Sequence, residues 1–266
     1  MRRFIFRKIK FSREDKGNSL YYSLASRTRI PYLLSVTDVI RAGEKALDLG
    51  CGIGFFSNVI AKNFSKVIAI DSDGKSIEKA RVLYGSSNIE FTLAAAEAIP
   101  LPDNSIDFLL SSEVLEHVNN LEEALREVKR VCKDGAKFFV TIPSTDGIFG
   151  NFFLKISHTG DNLYEQHKKF PFTKKNVSGI LSENNFQIKK IYYSKIFLAE
   201  IFMGLTKLMH DLKKGRAITG QWDILMPPKI YRIIFPFVLF LAKLEDFILN
   251  NALRGHMIII SGEIKK

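Results

Sequence analysis

Three glycines alternate in a short segment of the sequence, and their spacing suits a site for a nucleotide-like ligand. Gly50, Gly52 and Gly54 directly follow an apolar run of the strand type and directly precede a run of the helix type. Glycine lets the backbone approach a ligand closely, and the first N–H groups of the following helix are free to bind it. Asp71 ends the next strand-like run, seventeen residues after Gly54, where a carboxylate can accept hydrogen bonds from both ribose hydroxyls.

The spacing of the glycines distinguishes this segment from the nicotinamide-dinucleotide fingerprint. That fingerprint is G-x-G-x-x-G, and counted from Gly50 its last position is Phe55. The sequence fits D-x-G-x-G-x-G instead, starting at Asp48. A nicotinamide-dependent oxidoreductase is therefore the least favoured enzyme class.

A second group of residues could activate an acceptor. If Glu113 begins a helix, Glu113, Glu116 and His117 lie on one helical face, and His167 could complete a site for a divalent ion. Either histidine could instead act as a general base. The Glu-His pair could also simply cap or pack a helix. Metal binding is the less favoured of these hypotheses, and His117 and His167 are the candidate catalytic residues.

Short apolar strands alternate with amphipathic helices along most of the chain. This pattern predicts an α/β fold with a doubly wound, seven-stranded, mainly parallel sheet that is covered on both faces. The predicted strands are 45–50, 66–71, 88–93, 106–111, 136–142, 186–193 and 256–264. Helices are predicted between some of them, at 55–64, 75–84, 121–132 and 173–184. A turn is predicted at 133–135, and a helical leader at 20–40 is expected to break near Pro31.

Five segments in this order resemble the class I S-adenosylmethionine (SAM)-dependent methyltransferases of the ubiquinone and menaquinone type. The segments are 47–54, 67–71, 96–107, 112–118 and 131–135. The resemblance covers residues 44–143 and extends more loosely to Phe186. It implies a Rossmann-like methyltransferase fold and SAM as the methyl donor.

The resemblance also implies roles for individual residues. The segment that would hold the methionine part of SAM comprises Asp48, Gly50, Cys51, Gly52 and Gly54. The remaining contacts would be Asp71 on the ribose, Ser72 beside the adenine, Ala96 and Glu97 flanking the adenine, and Ser111 near the sulfonium. Relatives often carry Asp at the position of Ala95, so either Glu97 replaces that carboxylate or adenine is bound less tightly. By contrast, Asp107 and Gly135 are interpreted as a strand-start residue and a turn glycine.

The chain divides into four predicted regions, of which the third is an apolar insertion. They are a basic arm and helical leader (1–43), the SAM-binding core (44–194), the helical insertion (195–254) and the last core strand (255–266). In the insertion, 198–212 has the spacing of a one-sided helix, and 230–249 is more apolar. Its uncharged run, 233–242, is shorter than the ~20 residues of a membrane span. We therefore predict that the insertion forms an in-plane membrane helix or a substrate lid. The alternative is that its helices pack on the core or form a dimer face.

Charge and composition limit the partners. The net charge is +11, and residues 1–16 carry seven Lys and Arg interleaved with Phe and Ile, without the apolar run of a signal peptide. An anionic membrane surface, a nucleic acid or a phosphorylated substrate would each suit this charge. Nucleic acid is not favoured, because the apolar insertion has no role in RNA binding. Two cysteines suggest no disulfide framework and favour the cytoplasm, with peripheral attachment to the inner face of the membrane as an option.

The sequence favours a SAM-dependent enzyme that methylates oxygen or carbon in a hydrophobic, lipid-like or isoprenoid acceptor. Two alternatives stay open. One is a methyltransferase for RNA or another small molecule, and the other is a SAM-binding regulatory or scaffold protein without turnover.

Overall fold

The computed structural model describes residues 11, 24–38, 44–85, 88–145, 172–194, 198, 229–249 and 253–266. The chain divides into two compact units. The sheet unit comprises Leu33–Ile142, Lys174–Ile191 and Ile259–Lys266, and the second unit comprises Met1–Tyr32, Pro143–Thr173 and Tyr192–Ile258. The four regions predicted from the sequence stay a prediction.

A seven-stranded sheet in the order β3-β2-β1-β4-β5-β7-β6 forms the centre of the fold. Its strands are β1 (Lys45–Leu49), β2 (Lys66–Asp71), β3 (Ile89–Leu93), β4 (Ile106–Ser112), β5 (Cys132–Pro143), β6 (Phe186–Ser194) and β7 (Met257–Ile264). Strands β3, β2, β1, β4 and β5 pair in parallel. The prediction of a doubly wound, mainly parallel sheet is confirmed.

The last two strands run in opposite directions. The N–H of Lys265 donates to the carbonyl of Asn185 (2.9 Å), while Gly262 lies against the carbonyl of Gln187. The residue number falls along one strand as it rises along the other, which is antiparallel pairing. The sheet is therefore mixed at this edge. A side chain at Gly262 would collide with the neighbouring backbone, so the close approach requires glycine here.

Six α-helices accompany the strands in the described part of the chain. They are α1 (Leu24–Thr37), α2 (Phe55–Ile60), α3 (Gly74–Tyr84), α4 (Leu121–Val131), α5 (Lys174–Glu183) and α6 (Lys229–Leu249), with a 3₁₀ turn at Ala61–Asn63 after α2. The predicted break near Pro31 is wrong, because α1 continues through it. Proline removes one helical hydrogen bond, and the burial of neighbouring Ile30 and Leu33 compensates for that loss.

Local signals in the sequence account for several helix ends. The Asp73 carboxylate accepts hydrogen bonds from the N–H groups of Lys75 (3.1 Å) and Ser76 (3.2 Å) at the start of α3. The Asn120 side chain accepts one from the N–H of Glu123 (3.1 Å) at the start of α4. Side-chain acceptors satisfy N–H groups that have no partner within the helix.

The turn predicted at 133–135 lies inside β5 as an irregularity. Ile106 pairs with Cys132, but Phe108 already pairs with Lys137, so β5 contains extra residues at this point. Gly135 has a φ of 76°, a left-handed conformation that favours glycine. Gly135 therefore lies in an irregular part of β5, and not in a turn before the strand as predicted. Asp107 faces the opposite end of the sheet from the glycine segment, where it accepts from the N–H of Lys45 (2.9 Å), as a strand-start residue should.

Two hydrogen bonds connect α6 to other described residues of the second unit. The N–H of Leu198 donates to the Glu245 carboxylate (2.7 Å), and the Ser194 hydroxyl donates to the buried Asp246 carboxylate. The second half of the predicted insertion is thus helical, whereas 199–212 lies outside the described residues. None of the described helices combines the length and apolar composition that crossing a bilayer requires.

The carboxyl group of Asp48 is buried inside the sheet unit. Asp48 lies in β1 with 1% of its surface exposed, and the Ser57 hydroxyl donates to it (2.5 Å). Burial raises the pKa of Asp48 to about 7, the Ser57 hydrogen bond partly offsets this rise, and the negative charge of Asp71 adds to it. The folded protein therefore keeps this carboxyl protonated to a much higher pH than the unfolded chain does.

This difference predicts a pH-dependent stability. Between pH 3.8, the ordinary pKa of Asp, and about 7, the folded state binds more protons than the unfolded state. The free energy of unfolding therefore falls as pH rises through this window, by at most about 1.4 kcal/mol per pH unit from this group. Asp48→Asn should flatten the fall, as measured by urea unfolding from about pH 4.5 to about pH 7.5. Glu78→Gln, on the exposed side of α3, is the control. An unchanged slope for Asp48→Asn would contradict the assignment.

Arg130 of α4 holds the loop that connects β3 to β4. Its guanidinium donates to the carbonyls of Ile99 and Leu101 (both 2.8 Å). It also donates to the carboxylates of Glu127 and Asp103 (both 2.7 Å). Glu127 in turn accepts from the N–H of Ile99 (2.9 Å). Arg130 and Glu127 therefore hold residues 99–103 of this loop against α4.

Removing this arginine should destabilise the protein. Arg130→Ala leaves two carbonyls and two carboxylates without their donor, which should cost at least about 2 kcal/mol of unfolding free energy. Arg126→Ala on the same helix is the control, since Arg126 is exposed and pairs only locally with Glu123. That control should cost less than about 1 kcal/mol. Equal losses in urea unfolding would show that the loop does not depend on Arg130.

Candidate active site

The glycine segment forms a tight turn at the carboxyl end of β1. Gly50, Gly52 and Gly54 have φ values of 68°, 52° and 80°, so all three adopt the left-handed conformation. The Cys51 N–H donates to the carbonyl of Ile70 (2.9 Å), which joins the turn to β2. The turn therefore requires glycine at alternate positions for backbone reasons before any ligand is considered.

The surroundings of the three glycines differ. A Cβ at Gly50 would lie 2.3 Å from the Val114 side chain, and one at Gly54 would lie 2.8 Å from the Phe91 ring. A Cβ at Gly52 would meet nothing within 4 Å. Gly50 and Gly54 thus allow close packing of the protein on itself, whereas Gly52 faces open space. A ligand that approaches the turn would contact it at Gly52.

Asp71, at the end of β2, is bound to the same turn. Its Oδ2 accepts from the N–H of Gly52 (2.8 Å), and its Oδ1 accepts from the N–H of Asp73 (2.9 Å). The backbone thus supplies two donors to this carboxylate, independently of a ligand. Each carboxylate oxygen can accept a further hydrogen bond, so both can still bind ribose hydroxyls. The position of Asp71 beside Gly52 supports a ribose site.

The predicted adenine contacts come from two loops, one after β2 and one after β3. Ser72 is exposed beside Asp71, and Ala96 is half-buried after β3. Glu97 is also half-buried, but its Oε1 accepts from the N–H groups of Asn119 (2.8 Å) and Asn120 (3.2 Å). Glu97 therefore connects the loop after β3 to the loop after β4. This structural task limits its freedom to replace the carboxylate that is absent at Ala95.

Ser111 is a fully buried residue near the end of β4. It pairs in register with Leu49, directly before the glycine turn. Its hydroxyl has no hydrogen-bond partner among the residues that the structure describes. A buried hydroxyl in this state costs about 1–3 kcal/mol. Such a group beside the turn fits the predicted position near the bound donor, although its contact with the sulfonium stays a prediction.

The structure changes the interpretation of the Glu-His segment. Glu113 has a φ of 58° and its N–H donates to the carbonyl of Thr141 (2.9 Å), so it ends β4 and does not begin a helix. The predicted common helical face of Glu113, Glu116 and His117 is wrong. Instead, a turn follows, in which the His117 N–H donates to the carbonyl of Val114 (2.8 Å).

The turn separates the environments of the two side chains. Glu116 is buried, whereas the His117 side chain is 45% exposed, and His117 Nε2 lies 3.9 Å from Glu116 Oε1. Within the described ranges, no group of three His, Cys, Asp or Glu residues could hold a metal ion. His167 lies outside the described residues. His117 is thus the candidate base that the structure places at the carboxyl edge of the sheet.

Several residues of the site carry no signal in the sequence. Ser57, which donates to Asp48, resembles any other polar residue of a helix. The contacts of Val114 with Gly50 and of Phe91 with Gly54 join segments far apart in the sequence. Only the tight spacing of the glycines hints that something packs closely against them.

Comparison with known proteins agrees with this geometry. Residues 47–140 match a family described as a methyltransferase domain. The matched segment runs from β1 through most of β5 and contains the glycine turn, Asp71 and Ser111.

A curated relative is the ubiquinone/menaquinone biosynthesis C-methyltransferase of Cronobacter sakazakii. It is 36% identical over 109 residues, which cover 38% of this chain and 43% of the relative. The similarity is thus confined to less than half of either protein.

Solved structures extend the likeness to nearly the whole fold. A SAM-dependent methyltransferase from Mesorhizobium loti has a TM-score of 0.57 at 16% identity and covers 92% of this chain and 99% of its own. The [4+2]-cyclase SpnF has a TM-score of 0.58 at 16% identity, covering 90% and 81%. Likeness at this identity shows the fold alone, and the name of the second protein shows that the fold can carry another reaction.

The family match, the glycine turn and Asp71 agree on one assignment. The open space at Gly52 gives a ligand access to the turn, and the residues there fit SAM. Over residues 47–140, the chain is similar to the methyltransferase-domain family, and the glycine turn and Asp71 lie within the matched segment.

Proposed function

We propose that this protein transfers a methyl group from SAM to carbon or oxygen in a hydrophobic, lipid-like or isoprenoid acceptor. The observation that carries the proposal is the open space over Gly52, directly beside the Asp71 carboxylate.

The residues of the turn have defined tasks in this proposal. SAM carries the methyl group on a positively charged sulfur. A nucleophilic atom of the acceptor attacks the methyl carbon in line, the bond from this carbon to sulfur breaks, and the neutral thioether leaves. The backbone at Gly52 allows close approach of the methionine part, and Asp71 accepts hydrogen bonds from the ribose hydroxyls. Glu97 holds the loop after β3 against the loop after β4, which shapes the adenine end. These residues position the reactants, which is the main contribution an enzyme makes to such a displacement.

His117 supplies the chemistry that the acceptor needs. An oxygen acceptor loses its proton as it attacks the methyl carbon, and a carbon acceptor loses one afterwards. The half-exposed imidazole can take up this proton, and the nearby Glu116 carboxylate stabilises the resulting positive charge. This role requires no metal ion.

The acceptor class rests on apolar surface and on relatives. In the second unit, α6 exposes large apolar side chains, among them Ile233 and Phe237. The name of the curated relative from Cronobacter sakazakii describes a C-methyltransferase of ubiquinone and menaquinone biosynthesis. An RNA acceptor would suit the basic charge but leaves the exposed apolar side chains without a role.

Filling the open space at Gly52 should weaken the binding of SAM. Gly52→Ala places a methyl group where the ligand would lie, so we expect at least a tenfold rise in Kd by calorimetry, about 1.4 kcal/mol. Gly135→Ala is a matched control, because it has a similar positive φ and nothing within 4 Å of a new Cβ, but lies in β5 far along the chain. Equal effects of the two variants would show that backbone strain, and not ligand contact, explains the loss.

Methyl transfer can be tested with labelled SAM. The protein is incubated with methyl-labelled SAM and a lipid and quinone extract of its host, and we expect label in the organic phase. His117→Asn should lower kcat at least tenfold while leaving the Kd of SAM unchanged, because a base acts on the acceptor. Arg126→Ala, on the exposed face of α4, should leave both values unchanged.

The other outcomes discriminate between the alternatives. Label in RNA would replace the lipid acceptor by a nucleic acid. Binding of SAM without label in any fraction would favour a SAM-binding protein without turnover. Loss of activity on chelation, together with an unchanged rate for His117→Asn, would assign the activation of the acceptor to a metal ion.

A further inference from the structure

Helix α6 has two faces of different character, and one faces inward. Phe235, Leu239, Ala242 and Asp246 are buried, and they follow one another at intervals of three or four residues. This spacing places them on a single side of the helix. The Ser194 hydroxyl donates to Asp246, which adds a polar tie to the apolar packing. The orientation of α6 in the second unit is therefore determined by this inner face.

The opposite side of α6 is apolar and exposed. Ile233, Phe237 and Ile248 are exposed by 76%, 65% and 62%, and the half-buried Leu244 lies between the last two. These four residues lie at positions i, i+4, i+11 and i+15, so they share one helical face, which we call the apolar stripe. The charged residues Lys243, Glu245 and Asp246 lie elsewhere around the helix. A helix on a protein surface in water normally carries polar residues on its outer face.

A positively charged side chain, Arg27, lies close to the same helix. The Arg27 guanidinium lies 4.2 Å from the centre of the Phe11 ring and 5.9 Å from that of Phe235 on the inner face of α6. Phe11 is therefore attached beside α6 through Arg27. Phe11 belongs to the basic segment 1–16, which has seven Lys and Arg and one Glu and one Asp.

The electrostatics around α6 reflect the same excess of positive charge. Lys243 is half-buried, and burial followed by the positive charge of Arg27 lowers its pKa to about 8. The basic segment and these two side chains are thus gathered in one unit. An anionic surface would attract the protein as a whole, whose net charge is +11.

We infer that α6 lies in the plane of an anionic lipid bilayer, with the apolar stripe inserted at the boundary of headgroups and acyl chains and the protein's net charge of +11 attracted to the headgroups. Stable attachment to a membrane needs two signals, and an apolar face combined with a basic patch supplies both. Clustered Lys and Arg add affinity for anionic lipids within a short distance of the surface. The docked helix would present the protein to acceptors that are dissolved in the membrane.

Other occupants of the stripe fit less well. A second copy of this chain would bring two proteins of net charge +11 together, and their basic segments would repel each other. RNA would neutralise the charge but would leave Ile233, Phe237 and Ile248 in water. A lipid surface satisfies the charge and the apolar side chains together.

The inference goes beyond methyl transfer and can be tested without SAM. Purified protein is sedimented with vesicles of phosphatidylcholine, with and without phosphatidylglycerol. We expect strong binding only with the anionic lipid, and weaker binding as salt is raised. The double variant Ile233→Ser and Phe237→Ser should reduce the partition coefficient at least tenfold, because it removes apolar surface from the stripe.

Val82→Ser provides a matched control. Val82 is 87% exposed on α3, in the sheet unit, so it is an exposed apolar residue outside the stripe, and its loss should leave vesicle binding unchanged. Thermal unfolding of each variant confirms that it is folded. The inference is overturned if the wild-type protein does not bind anionic vesicles, or if Val82→Ser has the same effect as the double variant. It is also overturned if the double variant only converts a dimer to a monomer in the absence of lipid.

Discussion

The hydrogen bond from the Gly52 N–H to the Asp71 carboxylate joins the ends of β1 and β2 at the point where both strands leave the sheet. It constrains a turn whose three glycines already adopt left-handed conformations. Because the turn is held in this way, Gly50 can pack against Val114 while Gly52 stays open. Contacts within the protein therefore hold the turn, which reduces the cost of ordering it when a ligand binds.

Buried polar groups around the turn hold it in place and make the stability of the protein depend on pH. Asp48 lies below the turn, where Ser57 donates to it, and Ser111 brings a hydroxyl to the same edge from β4. Groups of this kind are costly in an apolar interior unless a partner is present. Their concentration at one edge of the sheet agrees with the tendency of functional sites to hold polar groups that the fold alone would not favour.

The two units suggest a division of tasks. The sheet unit contains the cofactor site and His117, whereas α6 of the second unit carries an exposed apolar face that methyl transfer by itself does not need. A hydrophobic acceptor connects the two observations, because an enzyme for such a molecule benefits from a surface that prefers the same environment. Without such an acceptor, nothing connects the exposed apolar face of α6 with the positive charge of the same unit.

The sequence by itself determined the alternating strands and helices, the glycine turn and Asp71 as its neighbour, because periodicity and residue type over a few positions carry that information. Only the tertiary structure decided that Glu113 adopts a left-handed conformation, so that Glu116 is buried and His117 exposed. It alone showed that Glu97 is already bonded to the backbone at Asn119, 22 residues away. These outcomes depend on contacts between distant segments, and no local pattern in a sequence records which distant atoms will meet.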